Sequence, residues 1–342
     1  MAEPRGHRAT SVKMRRTSVP ALPYEPPRPL AYNPGIGLIG CGGISRAHLT
    51  AYKKAGFQVL ALCDMDEKRA LERRREFYPR ARVARSPADL FRDPDIEVLD
   101  IATHPKERPP LVRGALSAGK HVLSQKPFVT DLDEGERLAD LADRKGLKLA
   151  VNQNGRWAPH FSWMREAVLH GLAGDLVSAH ASVHWDHTGV KGTPFEKVRD
   201  LILYDFAIHW FDFMASLFPD RKPLRVQAFR TRARGQIVRP ALLAQTLIQY
   251  DGSQASLVFD GAVKAGPWDR TYLAGTRGSL QSEGPDLNRQ KVVLSTPRGT
   301  MRPRLRGAWF PDGFRGTMGE LLCAIEEKRE PSNNARDNLR SL

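Results

Sequence analysis

Residues 36–66 read IGLIGCGGISRAHLTAYKKAGFQVLALCDMD, and the fold turns on them. A short apolar run, 36–39, ends in Gly40-Cys41-Gly42-Gly43-Ile44-Ser45. Residues 46–54 carry a helical pattern, and a second apolar run, 59–63, ends in Asp64. Strand, glycine turn, helix, strand and acidic residue follow in the order of a dinucleotide-binding βαβ unit. The glycines permit a tight turn and a close approach to a pyrophosphate, which rests on the helix N-terminus. Asp64 is placed to accept hydrogen bonds from a ribose diol, and Ser45, at the third glycine position, is small enough for close helix–strand packing. A glycine-rich turn in some other parallel α/β domain has the same local look; the carboxylate at the end of the second run favours the dinucleotide.

Working outward, strand and helix patterns alternate as far as residue 151. Charged helix 66–77 precedes a short strand at Val83, then a helix opened by Ser86 as N-cap with Pro87 at its first position. Strands at 96–103, 121–124 and 147–151 are separated by helices at 111–118 and 130–145, the first closed by Gly119 and the second by Gly146. This alternation predicts a mainly parallel sheet covered on both faces, with its ligand at the carboxyl ends of the strands. Thr103, Lys126 and Asn152 all fall there and are expected to face one crevice. Beyond residue 153 the pattern changes. A helix at 159–169, a long alternating strand at 177–185 and an aromatic-rich helix at 201–218 lead into strands at 224–231, 244–250, 254–259, 271–274 and 292–295, with Asp251-Gly252 as a hairpin turn. A last helix is expected at 314–328. The expected division is an extended or disordered Pro-rich arm over 1–33, a nucleotide-binding domain over 34–153 and a substrate-binding and oligomerisation domain over 154–342.

At 342 residues the chain suits two domains. No apolar run approaches the roughly 20 residues of a spanning helix, so no membrane partner is expected. Arg15-Arg16 is followed by prolines rather than an apolar stretch, which argues against a twin-arginine export signal. Three cysteines make no disulfide framework and have no metal-ligand spacing, which points to a reducing, cytoplasmic compartment. The net charge of +15 comes from scattered arginines with no nucleic-acid-binding pattern, so no nucleic acid is expected either.

Two features carry chemistry. Lys126, between Gln125 and Pro127 at a strand exit, is placed to polarise a hydroxyl or relay its proton beside a nicotinamide. In Tyr204-Asp205-Phe206-Ala207-Ile208-His209-Trp210-Phe211-Asp212, a helix would put Asp205 and His209 on one face, with Asp212 also close to the histidine. Flanking carboxylates would orient His209 and raise its basicity, as proton abstraction from an alcohol requires. A core histidine capped by Asp212 is the plainer reading of the same residues. No third or fourth ligand completes a metal site. His184-Trp185-Asp186-His187 and Arg156-Trp157 are weaker clusters that offer stacking surface and polar groups to a sugar-like ligand.

The motifs GLIGCGGISRAHL, ALCDMD, IATHP, AGKHVLSQKP and DFAIH, in this order, resemble those of the Gfo/Idh/MocA oxidoreductases, from about Gly35 to the C-terminus. The resemblance implies an α/β protein with an N-terminal Rossmann domain and a C-terminal α/β domain built on an open, mainly antiparallel sheet. That sheet often forms the subunit interface, so a homodimer or homotetramer is implied. The implied activity is NAD(P)-dependent hydride transfer to or from a sugar, sugar acid or cyclitol. Lys126 then matches the catalytic lysine, His209 the acid/base histidine and Asp205 the aspartate one turn before it. Gly40, Gly42, Gly43 and Ile44 match the phosphate loop. Asp64 matches the ribose-binding acid and favours NAD over NADP, against which Arg69 stands nearby. Thr103, Gln125 and Lys126 are expected at the cofactor, and Arg156, Trp157, His184, Trp185, Asp205 and His209 at the substrate. Gln125 replaces the usual glutamate, Arg108 stands where a histidine is common, and the resemblance implies a further C-terminal helix past Leu342. An NAD-dependent glycosidase on this fold and a non-catalytic nucleotide-sensing regulator remain open as alternatives.

Overall fold

The computed structural model describes residues 20–342; the N-terminal part of the arm, with Arg15 and Arg16, lies outside the described residues. Residues 20–33 are extended and lie on this chain's own last long helix. The backbone N–H groups of Leu30, Ala31 and Tyr32 donate to the Glu326 carboxylate at 2.7–2.9 Å, which holds that carboxyl below its usual range.

The first unit alternates as the pattern predicts: β1 (Gly35–Ile39), α1 (Ser45–Ala55), β2 (Gln58–Cys63), α2 (Glu67–Phe77), β3 (Arg82–Ala84), α3 (Pro87–Arg92), β4 (Ile96–Ile101), α4 (Arg108–Ser117), β5 (His121–Ser124), α5 (Leu132–Arg144) and β6 (Leu149–Val151). All pairings are parallel, in the order β3-β2-β1-β4-β5-β6. Strand order reverses between β1 and β4, so the crevice for a ligand opens above the turn that follows β1. β1 is buried throughout, as a strand covered on both faces must be. The helix ends follow local chemistry. Asp66 and Asp131 cap α2 and α5 through side-chain acceptors, and Asp89 reaches back to the Ser86 N–H at 3.0 Å.

The second unit contains α6 (Pro159–Leu169), β7 (Leu176–His184), α7 (Ile208–Leu217), β8 (Arg225–Thr231), β9 (Leu243–Tyr250), β10 (Ser253–Asp260), β11 (Trp268–Gly275), β12 (Ser279–Gly284), β13 (Lys291–Thr296) and β14 (Gly299–Met301). Their sheet runs β14-β13-β12-β11-β7-β10-β9-β8, antiparallel except where β10 lies parallel to β7. Asp251-Gly252 closes the β9–β10 hairpin, with Gly252 at φ +64°. One face packs on α6 and α7, with Phe161, Trp210, Phe213 and Phe259 in its core. The other face is open.

Two expectations are corrected. The helix expected over 201–218 is broken: a π-helical turn, Ile202–Phe206, precedes α7. The segment 154–342 also does not stay together in space. In α8 (Trp309–Glu326) Trp309 belongs to the second core, while Phe314, Met318, Leu321 and Leu322 pack on the first, against α1. α9 (Ala335–Asn338) follows, and Ala335 and Leu339 join the core of the first unit on the α4–α5 side of its sheet.

Candidate active site

The glycine turn is shaped by two different constraints. Gly40 has φ +98°, and a side chain there would meet the Ala102 backbone at about 2.9 Å, so a non-glycine residue is strained on both counts. Gly42 and Gly43 have nothing within 4 Å of where a Cβ would stand. That open cradle at the N-terminus of α1 fits a pyrophosphate, which the positive end of the helix favours. Ile44, the residue before α1, is partly exposed at its rim.

Asp64, at the end of β2, is held beside this cradle. Its carboxylate accepts from the Cys41 N–H at 2.7 Å and from the Asp66 N–H at 2.9 Å. Burial, with the Asp64 charge beside it, pushes the Cys41 thiol up to about 12, so it stays a thiol. Arg69 is turned onto Asp66 at 3.5 Å. These residues fit the adenosine half of a nicotinamide dinucleotide, with Asp64 as ribose acceptor.

Thr103 follows β4, and its hydroxyl is buried without a partner among the described residues. Its carbonyl accepts from Arg108, whose buried guanidinium also binds the carbonyls of Gln125, Pro127 and Phe128. Arg108 therefore clamps the main chain on both sides of Lys126. Spacing did not flag this role, because four carbonyls converging on one guanidinium leave no sequence pattern.

Lys126 reaches from the first unit to the second. Its Nζ donates to the Asp205 carbonyl at 2.8 Å and lies 3.4 Å from the Asp205 carboxylate. The π-helical turn makes this possible: it interrupts the α-helical ladder, and a carbonyl left free of that ladder can accept from a side chain. His209 lies just beyond, half-buried, with its ring edge-on to Trp309 at 5.3 Å and its Nδ1 buried without a partner among the described residues. Burial, and then the Lys126 charge, hold the His209 imidazole well below the usual histidine range. The expected rise in basicity is thereby corrected. Asp205 faces Lys126, and Asp212 faces elsewhere. His187 belongs to the same neighbourhood. Its ring packs on Phe206 at 4.3 Å, and burial holds its imidazole below the usual histidine range, the nearby Asp205 charge acting the other way. Of the cluster His184-Trp185-Asp186-His187, it is thus His187, with Trp185, that lies on this side of the sheet.

Trp185 packs against Phe206 and Trp210 on the helix-covered face, beside Asp205. His184 does not join it, because adjacent strand residues point to opposite faces. It lies on the open face, bonded to Ser182 and stacked on Trp268. Arg156 and Trp157 are also corrected as substrate residues. Arg156 is buried in an ion-pair cluster with Asp212 (2.6 and 2.8 Å) and Asp337 (2.9 Å). Trp157 is buried against Gly316 of α8. Both border a cavity of about 460 Å³ that none of Gly42, Lys126, Asp205 or His209 lines. Asn152 is fully buried and turned away from the crevice, toward α1 and α8.

Residues 35–153 match the model of the oxidoreductase family with an NAD-binding Rossmann fold, and residues 161–281 match that of the GFO/IDH/MocA C-terminal domain. The chain belongs to the Gfo/Idh/MocA oxidoreductases. It is 28% identical over 319 residues to D-apiose dehydrogenase of Paraburkholderia graminis, covering 89% of this chain and 84% of that protein. It is 27% identical to the NADP(+) scyllo-inositol 2-dehydrogenase of Bacillus subtilis, over 61% of this chain and 58% of that one. In three dimensions it superimposes on an Agrobacterium radiobacter oxidoreductase solved with NAD+, L-tartaric acid and magnesium, with a TM-score of 0.80 at 21% identity over 90% and 93% of the two chains. Like its family, this chain is an NAD(P)-dependent dehydrogenase.

Proposed function

We propose that this Gfo/Idh/MocA enzyme moves hydride between a secondary hydroxyl of a sugar, sugar acid or cyclitol and the nicotinamide of NAD, with Lys126 and His209 as its acid/base groups. The observation that carries the reading is the Lys126–Asp205 contact across the two units, with His209 beside it, its proton affinity held down first by burial and then by the Lys126 charge. The bound nicotinamide supplies the hydride acceptor or donor. Lys126 donates a hydrogen bond to the reacting oxygen and stabilises its developing negative charge. His209 is unprotonated at neutral pH and so is ready to take the hydroxyl proton. Asp205 holds the lysine and offsets its charge as the histidine becomes cationic. Trp185 and His187 offer the substrate an apolar wall and a polar edge.

NAD is favoured over NADP because a 2′-phosphate would meet the Asp64 carboxylate while Arg69 is turned onto Asp66. The open sheet face, with Val177, Phe229 and Leu247 exposed, suits a second copy of the chain, so a homodimer or homotetramer is proposed. Three buried free cysteines suit a reducing, cytoplasmic setting, and no helix among the described residues is long and apolar enough to cross a membrane. The test is NAD(H)-coupled turnover against a panel of sugars, sugar acids and inositols. Stoichiometric NADH from one of them supports the reading. Tight NAD binding with no turnover of any overturns it, and free sugar formed without net NADH would favour a glycosidase instead.

A further inference from the structure

His48 stands in the first turns of α1, the helix that the glycine turn opens, and its side chain has no solvent exposure. Nδ1 lies 2.7 Å from the carboxylate of Asp100 in β4, which also accepts from the Tyr52 hydroxyl at 2.7 Å. Nε2 lies 2.9 Å from the amide nitrogen of Gln125 and 3.0 Å from that of Asn152. Phe314 of α8 packs on the ring at 4.8 Å.

The orientation of the Gln125 amide is set at its other end, because its oxygen accepts the Lys126 backbone N–H at 2.7 Å. The Asn152 side chain meets the Thr317 hydroxyl at 2.8 Å, a group that can donate or accept and that also reaches the Phe314 carbonyl at 3.0 Å. The Gln125 amide thus turns its NH2 group toward His48 Nε2. That nitrogen must offer its lone pair, and the ring proton must sit on Nδ1, donated to Asp100. A continuous path results, from Asp100 through His48 and the Gln125 side chain to the Lys126 backbone, and from Lys126 Nζ to Asp205. Arg108 grips the main chain of this segment. His48 is what holds the Gln125 side chain.

We propose that His48 is a positioning residue for Lys126. As a neutral imidazole protonated on Nδ1, it accepts from the Gln125 amide and thereby fixes the backbone from which Lys126 projects toward Asp205. It sits on α1, so it ties the helix that receives the dinucleotide to the lysine that meets the substrate oxygen. The role rests on the reading of Lys126 given above. Its polarity is specific. A proton on Nε2 would oppose the Gln125 NH2 group, and a carboxylate at position 125 would demand that proton.

The test reads the ring and the lysine directly. Histidine-nitrogen NMR of the full chain at neutral pH is expected to show His48 protonated on Nδ1 alone, with NAD absent or present. In Gln125→Glu the Nε2 resonance is expected to become that of a protonated nitrogen. Carbon NMR of reductively methylated protein follows Lys126. Its resonance is expected to move in His48→Leu and to return toward wild type in His48→Gln, whose oxygen accepts from Gln125. NAD affinity is expected to stay within about threefold in both. A proton on Nε2 in the wild type, or a Lys126 resonance indifferent to His48→Leu, overturns the proposal. If His48→Leu does not fold, the wild-type and Gln125→Glu spectra still decide. None of these readouts uses substrate, so a failure of the dehydrogenase reading appears separately, as absent turnover with these spectra unchanged.

Discussion

Lys126 Nζ lies 2.8 Å from the backbone carbonyl of Asp205 and 3.4 Å from its carboxylate, joining a strand exit of the first unit to a π-helical turn of the second. Replacing Lys126 by Met keeps the stem and removes the charge. Turnover is expected to fall by roughly a hundredfold to ten-thousandfold, the usual range for an acid/base group. NAD affinity, read by fluorescence titration, stays close to wild type.

The same lysine holds the proton affinity of His209 down. In Lys126→Met that repulsion is gone, so the His209 pKa is expected to rise toward 6.5 while burial keeps it from reaching that value. An NMR titration of the histidine ring checks this. In the wild type, the acid limb of kcat/KM is expected below pH 6.5, because the base stays unprotonated until the pH is lower than for a free histidine.

His160 gives the fold its own pH dependence. Burial lowers its pKa from 6.5 to about 3, and its Nε2 is buried without a partner among the described residues. The unfolded chain therefore binds the proton first. This histidine's contribution to stability is complete above pH 6.5 and is lost as the pH falls from there toward about 3. At pH 5 the loss is about 2 kcal/mol. His160→Phe is expected to flatten the pH dependence of the unfolding free energy, read by urea titration, between pH 5 and 7 by about that amount.

Arg156 holds two carboxylates, and buried Asp212 has besides it only a long hydrogen bond, 3.5 Å, from the neutral Ser341 hydroxyl among the described residues. Arg156→Met is expected to destabilise the protein by about 3–5 kcal/mol in urea unfolding, because a buried charge is left uncompensated. If Arg156 touched substrate instead, the variant would show a raised KM with little loss of stability.

Asp64 is the acceptor beside the glycine cradle. Asp64→Ser is expected to weaken NAD binding and move the NAD to NADP preference toward NADP by about tenfold or more, since one repulsive charge is removed from the 2′ position. Parallel titrations with the two cofactors measure the shift.

The first unit was legible because its signals are local. Gly40, Gly42 and Asp64 lie within one βαβ unit, and strand, cap and turn residues repeat at short range. Ser86 with Asp89, Gly119 and Gly146 each mark a boundary through their own backbone chemistry. The open sheet was legible in part: β12 and β14 escaped notice because their apolar alternation is brief. In the site, Lys126 and His209 stood out through their motifs. The place of His184 did not follow from its neighbours, since whether it or Trp185 faces the site depends on which face of β7 the helices cover.

The sequence by itself determined the α/β class, the dinucleotide turn and the place of Asp64 beside it, because each depends on residues close together in the chain. Only the tertiary structure decided what Arg156, Asp212, Arg108 and His48 do. Arg156 meets Asp337, Arg108 meets the carbonyls around Lys126, and His48 meets Asp100, Gln125 and Asn152. The pairing of a buried charge or imidazole is set by what the fold brings within about 3 Å, and no local pattern encodes that distance.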